Sequence, residues 1–251
     1  MNYSKLLLFI VCLLFSGNLF SQNKDDVTLT KEEENKLAII AWDGVKFGIT
    51  KQATLNTKAF QGGKIEKSNE SKFPVDKIEM SEKKTSEYRK IMDLDNRVNF
   101  TAYFGGAKSD ELYKIEITLN ASMGVEGYHS LKKDFKKIIE MLQDTYGKKA
   151  SITISENDQN SILQSARSGG SVYKYIGSFK CGDYYGSNYV KTISIKFDTY
   201  DYTIINHKDL LLIVSIENEK YPMTKWKPSY DKVQAEMKRK ETNKQKQKNL
   251  F

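Results

Sequence analysis

The chain has 251 residues, and 39% of them are hydrophobic, which is enough to bury a core without disulfide staples. Its 40 basic and 32 acidic residues give a net charge of +8, but arginine supplies only four of the cations. Because arginine is the preferred residue for base and phosphate contacts, no nucleic-acid partner is expected.

The first 21 residues, MNYSKLLLFIVCLLFSGNLFS, have the pattern of a secretory signal peptide. Lys5 supplies the positive charge, residues 6–15 form an unbroken apolar run, and residues 16–21 are mostly small and polar. The run is too short for a transmembrane helix, which needs about twenty residues. The pattern predicts cleavage after Ser21 and export to the periplasm or the extracellular space.

Two alternatives remain for this segment, an uncleaved membrane anchor and a lipoprotein modified at Cys12. Cys12 lies in the middle of the apolar run, so a lipid-modified cysteine there would leave too short a run before it. Loss of the signal peptide leaves Cys181 as the remaining cysteine, so no intrachain disulfide is expected. Its context, YKYIGSFKCG, predicts a buried position on a strand.

The chain after the signal opens with a capping box formed by Thr30 and Glu33. It predicts a short helix over residues 31–40, although residues 37–42 could also run on as a strand. The following WDGVKFG reads as an extended segment with Val45 and Phe47 on one face.

More elements follow in the first half of the chain. Thr50 predicts the cap of a second short helix that runs toward Phe60. GKIEKS and DKIEMS are weak strand candidates, whereas RVNFTAYFGG and ELYKIEITLN are strong ones that form a hairpin around a glycine turn. Residues 82–96, between these pairs, are expected to form a loop with at most a helical turn.

The second half begins with the clearest helix of the sequence, YHSLKKDFKKIIEMLQDTYGKK. Its apolar residues recur at helical spacing, His129 or Ser130 is its predicted start, and Gly147 is its predicted end. Four strand candidates follow, ASITIS, SVYKYIGSFKC, VKTISIKFDTY and DLLLIVSIEN. The last is apolar on both faces, which is typical of a central strand.

This order predicts an α+β fold with antiparallel strands. We expect two tandem modules, residues 22–124 and 125–224, each with a helix followed by about four strands, whose sheets could join side by side. Residues 225–251 are expected to form a basic, helical C-terminal tail.

Three patches, WDGVKFGIT, LYKIEITL and LQDTYGKKASI, resemble modules of exported bacterial α+β proteins. The implied architecture is similar to the tandem helix-plus-four-strand fold of beta-lactamase inhibitor proteins and related outer-membrane assembly lipoproteins. Residues 51–54 depart from it because they lack the acidic side chains usual in the first helical turn. The resemblance implies a fold and carries over no functional residue.

Residues suited to catalysis or metal binding are few. The two histidines, His129 and His207, lie apart from any repeated cysteine, histidine or acidic spacing that would hold a metal. DLDN at residues 93–96 lacks the glycine and glutamate of a calcium loop, and ENDQN at residues 156–160 is expected to be a turn. A catalytic arrangement of Cys181 with a histidine is an open alternative, but no catalytic residue, metal site or cofactor is predicted.

The tyrosines are the more promising feature. CGDYYGSNYV and FDTYDY place five of them on or next to loops: Tyr184, Tyr185, Tyr189, Tyr200 and Tyr202. Tyrosine offers a large contact area at low entropy cost and is enriched at binding surfaces. It is also common at strand edges, which is the alternative explanation.

The basic charge is concentrated in the tail. Residues 22–224 carry a net charge of about +1 and residues 225–251 of about +6. Tyr230, Val233 and Met237 share one face of a helix that Pro228 can start, and the chain beyond Lys238 is expected to be solvated. Its lysines could make weak contacts with anionic lipid or glycan surfaces.

Together these features predict a non-catalytic exported protein that acts as a binding or interaction module in the periplasm or at the cell surface. Its partner would be a protein or an envelope glycan. The alternatives are a secreted hydrolase with paired carboxylates and a structural protein of envelope assembly.

Overall fold

The computed structural model describes residues 28–68, 75–105, 110–182, 190–202 and 207–219, together with Arg239. The predicted signal peptide lies outside these residues, as does the predicted tail apart from Arg239. Tyr184, Tyr185 and Tyr189 also lie outside them.

An antiparallel sheet of seven strands is the centre of the described structure. The chain contributes the strands β1 (Ile40–Trp42), β2 (Val45–Lys46), β3 (Lys64–Ser68), β4 (Val75–Glu79), β5 (Arg97–Gly105), β6 (Glu111–Ser122), β7 (Tyr173–Cys181), β8 (Lys191–Tyr202) and β9 (His207–Asn218). The large sheet has the order β3-β4-β5-β6-β9-β8-β7, and β1 pairs with β2 in a separate hairpin. The prediction that β9 is a central strand is confirmed, since it lies between β6 and β8.

The helices of the described chain are α1 (Lys31–Ile39), α2 (Lys51–Leu55), α3 (Glu82–Ile91), α4 (Val125–Tyr146) and α5 (Glu156–Ser168). We call the side of the sheet that carries Phe100 and Phe197 the inner face. Tyr88 of α3 packs on Phe100 at 5.2 Å between ring centroids, and Tyr128 of α4 packs on Phe197 at 5.8 Å. Helices and antiparallel sheets together confirm the predicted α+β class.

Helix α4 supplies the largest apolar surface over the inner face. Its buried residues recur at the spacing read from the sequence and include Leu131, Phe135, Ile138 and Leu142. They lie over β6 and β9, so the core forms where the two halves of the sheet meet. The helix ends at Gly147 as predicted, with φ of 61°, but begins at Val125, before the predicted start.

The capping box and short helix predicted at the start of the described chain are confirmed. The Thr30 hydroxyl accepts from the Glu33 amide at 3.3 Å, and the Thr30 amide donates to the Glu33 carboxylate at 2.9 Å, which completes the capping box of α1. WDGVKFG, predicted as one extended segment, instead turns at Asp43 and Gly44, which have φ of 41° and 76° and close the β1–β2 hairpin. Positive φ at both positions is the requirement of a tight two-residue hairpin turn.

Two predictions between the strands are wrong. Residues 82–91, expected to be a loop, form helix α3, because Tyr88 gains a buried aromatic site against Trp42 and Phe100. Residues 156–160, expected to be a turn, begin helix α5, whose amide at Asp158 is capped by the Ser155 hydroxyl at 3.1 Å.

The segment ASITIS is a third wrong prediction. Its alternating pattern predicted a strand, but residues 151–155 are outside the strands of the described sheet. Ile152 instead packs over the strand β7 at Gly177, where an added Cβ would lie 3.0 Å from an Ile152 methyl. Three strands therefore follow α4 in the described chain, not four.

None of the helices in the described part of the chain is long and apolar enough to cross a lipid bilayer.

Candidate functional site

The outer face of the sheet, opposite the inner face, carries the candidate site. On β8, Ile193, Ile195 and Phe197 are buried on the inner face, so the alternate residues point outward. Among these are Tyr200 and Tyr202, which are 52% and 36% exposed. Both belong to the set of tyrosines that the sequence predicted as a binding surface.

Tyr200 and Tyr202 touch each other edge to face, with 4.6 Å between ring centroids. The His207 ring lies 5.9 Å beyond Tyr202, and its Nε2 is 2.9 Å from the Asp209 carboxylate. Burial and the negative charge of Asp209 raise the pKa of Tyr202. Its phenol therefore stays protonated and able to donate a hydrogen bond across the physiological pH range.

Two tyrosines of β7 extend this surface. Tyr173 and Tyr175 lie opposite Asp198 and Lys196 of β8, and they are 70% and 53% exposed. The Lys196 ammonium is 5.2 Å from the centre of the Tyr173 ring, a cation–π distance. Sequence reasoning missed both residues, although their alternation with Lys174 in YKY already places them on one face.

We call Tyr173, Tyr175, Tyr200 and Tyr202 the tyrosine cluster. Tyr173 is a diagonal neighbour of Tyr200 across the β7–β8 pair, a separation that aromatic side chains can bridge. The cluster offers apolar rings, phenol groups that both donate and accept, and nearby charged side chains of both signs. These groups can bind a ligand, and they include no nucleophile paired with a base.

A buried lysine is the most unusual ionisable group on the inner side. Lys191 is almost fully buried, and its Nζ donates to the carbonyls of Leu37 and Ile40 at 2.5 and 2.9 Å and to the Tyr146 hydroxyl at 2.7 Å. Burial lowers the pKa of Lys191 to about 8. Cys181 pairs with it across β7 and β8, is buried as predicted, and has its pKa raised by burial.

These three partners suit both charge states of Lys191. The ammonium uses all three as acceptors, whereas the neutral amine donates to the two carbonyls and accepts from the Tyr146 hydroxyl. Its carbonyl partners lie at the end of α1, so the group fastens that helix to the sheet. Its burial keeps it from contact with a ligand in this conformation.

The DLDN segment forms a structural corner. Asp134 of α4 is fully buried and accepts from the amides of Asp95 and Asn96 at 2.8 and 3.0 Å and from the Asn96 side chain at 2.7 Å. Lys137 pairs with the carboxylates of Asp93 and Asp95 at 3.0 and 3.3 Å. These contacts hold the start of β5 against α4.

The two histidines lie far from Cys181. His207 pairs with Tyr202 at one end of β8, and Cys181 pairs with Lys191 at the other end. The length of β8 separates them by roughly 36 Å at 3.3 Å per residue. His129 is exposed near the start of α4, about 25 Å along the helix from Tyr146, the residue that contacts Lys191. Among the residues that the structure describes, no cysteine therefore lies close to a histidine.

Elsewhere in the described chain, a depression between α3 and the start of β5 is lined by Ser86, Arg89, Lys90, Asp93 and Leu94 and holds a single carboxylate. Within the described ranges, no group of three or more histidine, cysteine or acidic side chains is arranged to hold a metal ion.

The chain matches no protein-family model, and no curated protein or solved structure matches it. The structure itself therefore defines the class, an α+β protein with one large antiparallel sheet and an exposed cluster of tyrosines on its outer face.

Proposed function

We propose that this chain is a non-catalytic exported binding module and that the tyrosine cluster is its contact surface. The observation that carries the proposal is the exposure of four tyrosines on two neighbouring strands of one face. Single exposed aromatic side chains are ordinary on protein surfaces, but a contiguous group of them marks an interaction site.

The chemistry of the cluster supports a protein or an envelope glycan as the ligand. Tyrosine rings bury large apolar area with few rotatable bonds to freeze, and their hydroxyls recover hydrogen bonds that the ligand loses with water. Lys196 and Asp198 form an ion pair at 2.8 Å beside the rings, so the surface has no strong charge of either sign. Stacking and hydrogen bonds, more than charge, would select the ligand.

Export is the second part of the proposal and is supported by the signal-peptide pattern of residues 1–21. The third part is the organisation in two tandem units, residues 22–124 and 125–224. It is supported by the sheet order, in which β3–β6 lie on one side and β7–β9 on the other, joined by the β6–β9 pair.

The test of the binding surface uses the chain from Gln22, immobilised and exposed to solubilised envelope protein and to purified envelope glycan in separate arms. The double variant Tyr173→Ser/Tyr200→Ser should retain at least about tenfold less ligand, since each lost aromatic contact costs about 1 kcal/mol or more. The matched control is Ile65→Ser, an equally exposed apolar residue on the opposite edge strand. Equal retention by all three proteins would reject the tyrosine cluster as the site.

One observation favours the alternative of a hydrolase with paired carboxylates. Glu217 and Glu116 lie on neighbouring strands of the outer face, and burial raises the pKa of Glu217 above its usual range, as a general acid requires. Glu116, however, is held by Lys114 at 2.5 Å and by the Tyr103 hydroxyl at 3.2 Å. Hydrolysis of an envelope glycan that stops in both Glu217→Gln and Glu116→Gln would establish the enzyme instead of the binding module.

A further inference from the structure

Exposure on the outer face of the sheet is uneven. The tyrosine cluster on β7 and β8 is open to solvent, but Leu211 and Ile213 on the next strand, β9, are each only 7% exposed. Both point outward, because they pair with Asp198 and Lys196 of β8, which lie on the outer face. Neither belongs to the apolar core beneath the helices.

Half-buried outward residues near Leu211 and Ile213 also have polar groups that are shielded from water. Asn120, which pairs with Leu211 across β6 and β9, has a buried side-chain oxygen without a hydrogen-bond partner among the residues that the structure describes. Burial also raises the pKa of Glu217 on the same strand. We call Asn120, Leu211 and Ile213 the outer strip.

The described helices do not explain the outer strip. Helices α1, α3, α4 and α5 make their contacts with inner-face side chains, for instance Glu34 of α1 with Cys181 and Asp158 of α5 with Lys174. If these two apolar side chains were left in water, the fold would forgo about 1.5–3 kcal/mol of stabilisation for each of them. An apolar segment from outside the described residues is therefore the expected cover.

We propose that residues 228–237 of this chain dock on the outer strip as a short amphipathic helix, with Tyr230, Val233 and Met237 facing Leu211 and Ile213. The observation behind it is the burial of these two residues on the face away from the helices. The inference is independent of the proposed binding function.

The length of the chain permits this docking. Strand β9 leads directly into the C-terminal segment after Glu219, and Ile213 lies six residues back along the strand, about 20 Å away. Residues 220–229 span up to about 33 Å when extended, which is enough to turn back across the sheet. A helix of ten residues is about 15 Å long and would cross roughly three strands spaced 4.8 Å apart.

The sequence of the segment also fits the outer strip. Its three large apolar side chains, Tyr230, Val233 and Met237, recur at spacings of three and four, so they form one stripe on a helix. The direct connection to β9 gives the segment an effective concentration on the order of millimolar at the strip, which favours it over a second copy or a separate partner. The tyrosine cluster, on β7 and the last residues of β8, is exposed to solvent.

The experiment measures how fast a thiol introduced by Leu211→Cys is alkylated, read by peptide mass spectrometry at position 211 so that Cys181 does not interfere. Three chains from Gln22 are compared: the full chain, a chain without residues 225–251 and a chain without residues 238–251. We expect labelling at least about tenfold faster without residues 225–251, as for a segment docked about nine-tenths of the time, and an unchanged rate without residues 238–251.

A second pair of variants tests the same point in the full-length chain, in case the shorter chain fails to fold. Val233→Asp places a charge in the stripe, and Ala235→Asp places the same charge on the opposite face of the helix. Only Val233→Asp should accelerate labelling. Equal rates in both variants would overturn the proposal, and so would protection that disappears on dilution, because that result would assign the cover to a second copy.

Discussion

At the scale of single residues, two buried ionisable side chains, one on α4 and one on β8, affect the stability of the fold. The residues next to them in the sequence give no sign of this burial. Lys191 and Asp134 are both inside the protein, where an ionisable group is stable only with partners. Lys191 has two carbonyls and a phenol, and Asp134 has three N–H donors. Lys191 holds the end of α1 against β8, and Asp134 holds the start of β5 against α4.

Lys191 should make stability rise with pH in the alkaline range. Its pKa is lowered to about 8 by burial, whereas an unfolded lysine titrates near 10.4, so between these values the unfolded chain binds the additional proton. The free energy of unfolding should increase by roughly 1–3 kcal/mol through this window. Urea denaturation from pH 7.5 to 10.5 measures it.

The raised pKa of Cys181 acts with the opposite sign, because its thiol keeps a proton that the unfolded chain releases. The comparison with Lys191→Met therefore isolates the lysine. Between about pH 8 and 10, the free energy of unfolding should rise more steeply with pH in the wild type than in Lys191→Met. Parallel pH profiles would show that Lys191 titrates normally.

Asp134→Ala should destabilise the protein by roughly 2–4 kcal/mol, because it leaves the amides of Asp95 and Asn96 without their buried acceptor. Glu140→Ala on the exposed side of the same helix is the control and should stay within about 0.5 kcal/mol. Chemical denaturation of both variants decides whether the DLDN corner is a structural anchor. Equal effects would contradict that role.

At the scale of secondary-structure elements, the helices with strong local signals were predicted and those that depend on distant contacts were missed. Helix α1 has its capping box and α4 has its long apolar stripe. Helix α3 has one buried residue, Tyr88, whose aromatic partners Trp42 and Phe100 come from other elements. Its local sequence is charged, so a loop was the natural but wrong prediction.

Tyr88→Ala should therefore cost about 3–5 kcal/mol, the usual loss for a large aromatic side chain in a core. The Tyr88 hydroxyl also donates to Asp43 in the β1–β2 turn, so the variant loses a link between two elements. Tyr88→Phe keeps the packing and removes only that hydrogen bond, so it should cost about 1 kcal/mol. Thermal or urea unfolding separates the two contributions, and a small loss in both would reject the aromatic anchor.

At the scale of the whole molecule, charge and apolar surface are distributed in different places. The near-neutral body contrasts with a C-terminal segment of about +6. The sheet has one face covered by helices and a second face on which an open tyrosine cluster lies beside a buried strip. On the outer face, the exposed aromatic side chains are therefore on the β7–β8 side.

Removal of residues 238–251 should change the free energy of unfolding by less than about 0.5 kcal/mol, because only Leu250 and Phe251 in this segment could bury apolar area. The same deletion should weaken binding to vesicles that contain anionic lipid. That binding should fall steeply as salt is raised, because exposed charges are screened. A stability loss of several kcal/mol would show that this segment packs on the body.

The mature N-terminus is predicted to be Gln22. Intact-mass spectrometry of the protein recovered from the exporting cells should give the mass of residues 22–251. Retention of residues 1–21 would contradict the proposed export by signal cleavage and would restore Cys12 as a possible partner for Cys181.

The sequence by itself determined the α+β class, the antiparallel strands β5 to β9, the end of α4 at Gly147, and the burial of Cys181. These features follow from alternation, helical spacing and the φ preference of glycine, which act over a few residues. Only the tertiary structure decided that β6 pairs with β9 in one sheet, that Tyr173 and Tyr175 join Tyr200, and that Lys191 is buried against α1. The reason is physical: these arrangements depend on contacts between residues far apart in the chain, and local patterns carry no information on which distant side chain will be the neighbour.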